Sequence, residues 1–345
     1  MPKTHFVIEP SMAHHFRLEA WDALNDASRH ILGDYLTKRL QAYGWDVPNP
    51  MTLTTSGPPG ELRSVLQWRE PKSGMTFSLI PGGTFRPGFN EFQIAQVAEL
   101  IRRDCGREDD EHESNGLEFH PALNLKPPVD VMPFLMAAEL VRPSLPRLRT
   151  VAKLPEESSE GKALYGYDFM GDAVEFSWAQ VEPVLKHFGW SLPTSAEFEW
   201  ALRGGISSVF YWGDDFPEFM DDVNVGWRKP IKSDQARAKA SFDAILSASF
   251  DPDRPRDWPW CNRFGLAAML SRKTWCAPST ESSDPEPLIF RGGAAHLYPW
   301  QGGCFEWVLL MNAFESRSPI SADPKSYLAI SATAAIRPMI QLGAT

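Results

Sequence analysis

The chain is expected to mix helices with short strands and long ordered loops on one scaffold, and three observations predict this. It holds 13 Trp, 21 Phe and 30 Pro in 345 residues, which points to packing through aromatics and irregular loops in place of long helices. Between residues 90 and 205, three segments carry helix-start signals followed by apolar residues at helical spacing. After residue 206 that periodicity disappears and Trp, Gly, Pro and Asn dominate, which favours short strands joined by ordered loops.

The first 73 residues read as an N-terminal helical extension. Trp21, Leu24, Ile31, Leu32, Tyr35, Leu36 and Leu40 fall largely on one helical face, and Gly44 stops the run. Such a stripe is expected to bury itself on the main domain, because an isolated amphipathic helix must cover its apolar face. TTSGPPGEL at 54 to 62 reads as a linker or turn. FSLIPGGTF at 77 to 85 reads as a short apolar strand, a Pro-Gly-Gly turn and a return.

In NEFQIAQVAELIRRDCG, Asn90 and Gln93 have capping-box spacing, and Ile94, Val97, Ala98 and Ile101 follow on one face. The acidic run REDDEHES at 107 to 114 reads as a solvated loop, since like charges this dense repel unless a cation is supplied. SWAQVEPVLKHFGW repeats the capping spacing at Ser177 and Gln180, with Pro183 expected in or near the first turn. TSAEFEWALRGG does so again: Thr194 caps, Glu197 reaches back, and Gly204 or Gly205 ends the helix.

The formal charge of −10, with no basic run longer than two residues as at Arg102-Arg103, argues against a sequence-independent nucleic-acid binder. Cysteines at 105, 261, 276 and 304 show no zinc-ribbon or disulfide spacing and read as reduced thiols. MPKTHFVIEPSMAHHF lacks the apolar core of a signal peptide, and no apolar run is long enough for a membrane span, so a cytoplasmic protein is expected.

Six motifs then occur in a familiar order: GMTFSLIPGGTF at 74 to 85, VDVMPFLMAAELV at 129 to 141, SLPTSAEFEWALRGG at 191 to 205 with YWGDDF at 211 to 216, NRFGLAAM at 262 to 269, FRGG at 290 to 293, and AAIRP at 334 to 338. In these motifs the chain resembles the formylglycine-generating, sulfatase-modifying enzyme family. The resemblance implies a single irregular α+β domain of the C-type-lectin-like kind over residues 74–345, with short sheets and two main helices supporting long loops. The matched residues look structural: glycines for special backbone geometry, the Thr194 and Glu197 box, and Trp200 and Trp212 for buried area.

The resemblance also implies where catalysis would sit. Formylglycine-forming members hold copper on a pair of cysteines shortly after the RGG, and soft Cu(I) suits two thiolates. Here Arg291-Gly292-Gly293 is followed by AAHLYPWQGGCFEW, with Cys304 alone. A relocated pair, Cys304 with Cys276, is the alternative to both thiols being small buried hydrophobes, the reading given to Cys105 and Cys261. The related sulfoxide synthases place three histidines on iron. His14 and His15 are adjacent and so diverge by about 100° on a helix, and His5, His30, His112, His120, His187 and His296 complete no such set. Family members also carry a calcium-associated GNVWEW stretch, where this chain has Arg272 and Lys273, two cations that oppose a divalent ion. Asn224 is a weak candidate for another ion site, with loop capping as its simpler role.

The leading expectation is therefore a non-catalytic relative whose loops bind a protein or small-molecule partner, with no cofactor. Rigid frames carrying long loops suit that work. Candidate contacts are His296, Tyr298, Trp300 and Arg317, with Phe305 and Trp307 expected in the core. One alternative is a metal-dependent oxidoreductase, with copper, acting on a peptide or thiol substrate through Cys276, Cys304 and His296. A second is a regulatory or structural subunit docking through the N-terminal helix and the acidic loop.

Overall fold

A computed structural model of the chain describes residues 7–42, 44–45, 52–57, 61–105, 124–141, 148–152, 176–210, 213–214, 261–266, 274–277, 288–291, 315–318, 333–334 and 336–344. The chain enters through β1 (Val7–Ile8), α1 (Pro10–Ala13), a 3-10 turn (His14–Phe16), α2 (Leu18–Ala23) and α3 (Asp26–Ala42). Then come β2 (Thr52–Ser56), β3 (Arg63–Arg69), β4 (Thr76–Ile80), β5 (Gly83–Phe85), α4 (Glu91–Cys105), β6 (Val129–Val131), β7 (Phe134–Ala137) and α5 (Leu148–Ala152). Strand β8 (Phe176–Ser177) leads into α6 (Trp178–Phe188) and α7 (Ser195–Arg203). The described elements after α7 are all strands: β9 (Thr274–Cys276), β10 (Leu288–Arg291), β11 (Glu315–Ser318), β12 (Thr333–Ala334), β13 (Met339–Gln341) and β14 (Gly343–Ala344).

The architecture is α+β, organised on a five-stranded antiparallel sheet in the order β13-β7-β4-β3-β2. Strict alternation along its central strands divides two cores. Phe77 and Leu79 of β4, Leu135 and Ala137 of β7, and Ile340 of β13 face one core, with Trp21, Leu36, Val184 and Trp190. Ile80, Phe134, Met136 and Met339 face the other, with Phe198, Trp200, Leu202 and Phe264. Because both faces are covered, β7 is buried at every position and β4 at all but Thr76, and both read as continuous apolar runs. Between the faces Gln67 donates through Nε2 to Ser78 Oγ at 2.8 Å, which satisfies a polar pair buried across the β3–β4 ladder.

Four smaller sheets complete the frame: β11-β10-β9, β5-β6 and β12-β8, all antiparallel, and the parallel pair β1-β14. The last joins the two described ends of the chain, Val7 opposite Gly343 and Ile8 opposite Ala344.

The N-terminal helices pack on the sheet. Trp21, Leu32, Leu36 and Leu40 are all buried, the last three one turn apart, so the stripe is covered by the chain's own core. Each such side chain stabilises the fold by about 1.5–3 kcal/mol relative to exposure. Ile31, expected on that stripe, is 69% exposed, because it sits about 100° around the helix from Leu32. The run is two helices, interrupted where Leu24 turns extended and Asn25 Oδ1 accepts the Ser28 amide at 2.9 Å.

Three further expectations are corrected. Residues 54–56 belong to an edge strand, β2, that pairs along its whole length with β3, where a linker was expected. With β3 it places two of the sheet's strands inside the first 73 residues, so a boundary at 73/74 falls in the β3–β4 turn and the segment is more than a helical extension. The Gly82-Gly83 turn does not return β4 on itself. It hands the chain to β5, which pairs with β6, while Gly82 exchanges backbone hydrogen bonds with Phe16 and Leu18. Pro183 is the sixth residue of α6, in its second turn, where it withholds a donor from the Ala179 carbonyl.

Candidate functional site

The ordered motifs meet one another in the interior. Helix α7 is the meeting point, and its sequence explains why. Thr194 Oγ1 accepts the Glu197 amide at 3.2 Å and Glu197 Oε2 accepts the Thr194 amide at 2.8 Å, a complete capping box, and Gly204 ends the helix at φ +64°. The helix buries Phe198, Trp200, Ala201 and Leu202 together with the charged Glu199 and Arg203.

Glu199 is fully buried and holds four donors. Its Oε1 accepts from the Gly88 amide at 2.9 Å and from Arg203 Nε and Nη2 at 3.0 and 2.8 Å. Its Oε2 accepts from Arg291 Nη2 at 3.0 Å, and Arg291 Nε donates to Ser195 Oγ at 2.7 Å. Arg203 also donates to the Gly88 carbonyl at 2.7 Å and lies over the Phe89 ring. A buried carboxylate costs several kcal/mol unless paired, and this geometry supplies the compensation. With no face toward solvent, Glu199 serves as an anchor and not as a general base.

The other motifs close in the same way. Trp200 Nε1 donates to the Pro81 carbonyl at 2.8 Å, and its ring fills the space a side chain at Gly83 would need. Asn262, fully buried, donates through Nδ2 to the Ala201 and Leu202 carbonyls at 2.6 and 3.1 Å and accepts the Phe264 and Leu266 amides through Oδ1. It thereby takes up orphan carbonyls at the end of α7. Arg337 Nη1 donates to the Ala137 and Ala138 carbonyls at 2.9 Å each. Asp214 Oδ1 accepts the Val209 amide at 2.9 Å.

Of the candidate site residues, Cys276 is fully buried in β9, opposite Ile289 and within the cluster of Phe198, Phe264 and Met339. Arg317 lies in β11, also opposite Ile289. One row of the three-stranded sheet therefore carries Cys276, Ile289 and Arg317, with the outer two backbones about 10 Å apart. His296, Tyr298, Trp300, Cys304, Phe305, Trp307 and Asn224 lie outside the described residues, as do the acidic run at 107 to 114 and the stretch at 271 to 273. His14 and His15 have ring centroids 3.7 Å apart, so their imidazoles meet despite adjacent positions. Among the described residues no group of three or more His, Cys, Asp or Glu side chains is placed to hold a metal, and no helix is long and apolar enough to cross a membrane.

On the surface, Asp130 accepts from Arg17 at 2.6 Å and from Thr84 at 2.9 Å, and the Arg17 guanidinium holds its carboxyl below the usual range. Asp26 is lowered likewise, first by Arg29 and then by Ser64. Burial lowers the Arg263 guanidinium, against the opposing influence of Glu61.

Sequence reading missed the Glu199, Arg203, Arg291 and Asn262 network. The available signal was Glu199 and Arg203 four residues apart on α7, interleaved with Phe198, Trp200 and Leu202. Paired charges at that spacing usually mark an exposed helix face. Comparison with protein-family models and with curated proteins finds no match to this chain.

Proposed function

We propose that this chain is a non-catalytic protein of the formylglycine-generating-enzyme kind, with a C-type-lectin-like arrangement of its α+β elements, that binds a protein or small-molecule partner through its loops. The supporting observation is that residues of the ordered motifs turn inward: Glu199 to Arg291, Asn262 to Ala201 and Leu202, Arg337 to Ala137 and Ala138, Trp200 to Pro81. They build a frame, and what varies on a frame is the loops it holds up. Cys276 adds to this reading, since a thiol at 0% exposure among Phe198, Phe264 and Ile289 is small core filling. The chain also has a single cysteine after Arg291-Gly292-Gly293. His296, Tyr298, Trp300 and Arg317 are the contact residues, no cofactor takes part, and the protein works in the cytoplasm.

Metal loading of the reduced protein tests this. With Cu(I), Fe(II) or Ca(II) offered and removed by desalting, the wild type, Cys276→Ser and Cys304→Ser are expected to retain none and to consume no oxygen with a cysteine-containing peptide. Near-stoichiometric copper that either substitution abolishes would overturn the proposal in favour of a copper oxidase. A Tyr298→Ala, Trp300→Ala double variant that folds normally is expected to lose crosslinked partners that the wild type keeps.

A further inference from the structure

We infer that Glu199 couples two segments far apart in the chain, the turn at 86–90 that opens α4 and strand β10, so that they loosen and tighten together. One carboxylate serves both: Oε1 holds the Gly88 amide and Oε2 holds Arg291. Gly88 is gripped from both sides, its amide on Glu199 and its carbonyl on Arg203, in a left-handed backbone conformation at φ +89°. The grip passes directly to α4. Phe89 is fully buried under the Arg203 guanidinium, and Asn90 Oδ1 accepts the Gln93 amide at 2.9 Å while Gln93 Oε1 accepts the Asn90 amide at 3.1 Å.

On the other side, Arg291 is the last residue of β10 and is itself aimed by Ser195 at 2.7 Å. A displacement of Arg291 therefore shifts the carboxylate it shares with Gly88. Buried ionic contacts of this kind have discrete arrangements because a half-satisfied network is costly, which gives the two segments one common opening step. The coupling stands apart from the binding reading above, and it makes a partner that pulls on the chain just after Arg291 felt at the start of α4.

Hydrogen exchange on the full chain tests it, comparing wild type with Glu199→Gln and Ser195→Ala. Ser195 bonds Arg291 in this network and has no contact with Gly88, so its removal separates coupling from local damage. Glu199→Gln is expected to speed exchange at Gly88 and across 288–291 by about tenfold each, with β4 and β7 amides at wild-type rates. Ser195→Ala is expected to speed both segments by one common, smaller factor. The inference is overturned if Ser195→Ala moves 288–291 while Gly88 keeps its rate, if it moves neither, or if β4 and β7 accelerate as much as the two segments. Should Glu199→Gln fail to fold, the Ser195→Ala comparison decides alone.

Discussion

Gly83 shows how narrowly some positions are set. A Cβ there would lie 2.5 Å from the Trp200 ring, which is itself pinned by its bond to Pro81, so neither partner can retreat. Gly83→Ala is expected to cost about 3 kcal/mol or more, read as a lower urea midpoint with an unchanged denaturant slope. Cys276 and Cys261, at 0% and 1% exposure, are expected to resist iodoacetamide in the native protein and to label readily once urea unfolds it. Peptide mapping after labelling checks this. Rapid native-state modification of Cys276 would return that thiol to the list of reactive groups.

Local chemistry set the described helices and failed on one class of strand. The boxes at Asn90 and Gln93 and at Thr194 and Glu197 form as their spacing predicts, because a cap needs only neighbours in sequence. Thr194→Ala is expected to destabilise the protein by about 1 kcal/mol, measured as a shift in Tm, while Thr194→Ser recovers most of it. Ser177 meets the same spacing rule, yet it stands in β8 opposite Thr333, a pairing that no local rule contains. Strand β2, with the sequence TLTTS, was hidden for a related reason. It is a polar edge strand, buried fully only at Ser56, so it lacks the apolar alternation by which strands are recognised.

Across the whole chain, the N-terminal segment belongs to the frame. Its helices bury Trp21, Leu32, Leu36 and Leu40 in the core that Phe77 and Leu135 share, and β1 clasps β14 near the far end. Deleting residues 1–45 is therefore expected to give protein without a cooperative thermal transition, checked by calorimetry beside the full chain. Acid should weaken the same junctions. Asp130 and Asp26 have folded pKa values held below the ordinary 3.8 by Arg17 and Arg29, so their contribution is complete above that value and is lost as pH falls through the lower folded one. Tm is expected to drop below about pH 4, and Asp130→Asn to blunt that drop. Both pairs are solvent-exposed, so the effect is small beside core changes such as Gly83→Ala.

Composition, caps and glycine placement were enough to predict mixed helices and short strands, the helix starts at 90 and 194, and a buried N-terminal stripe. All depend on contacts within a few residues or on a bulk excess of aromatics. Which face Ile31 occupies, that β2 and β3 extend the central sheet, and that Glu199 binds Arg291 across 92 residues of chain were decided by packing. The physical reason is that a buried charge looks the same in sequence as a solvated one. Only the partners brought to it from elsewhere in the chain make its burial affordable, and those partners become neighbours when the sheet and α7 close together.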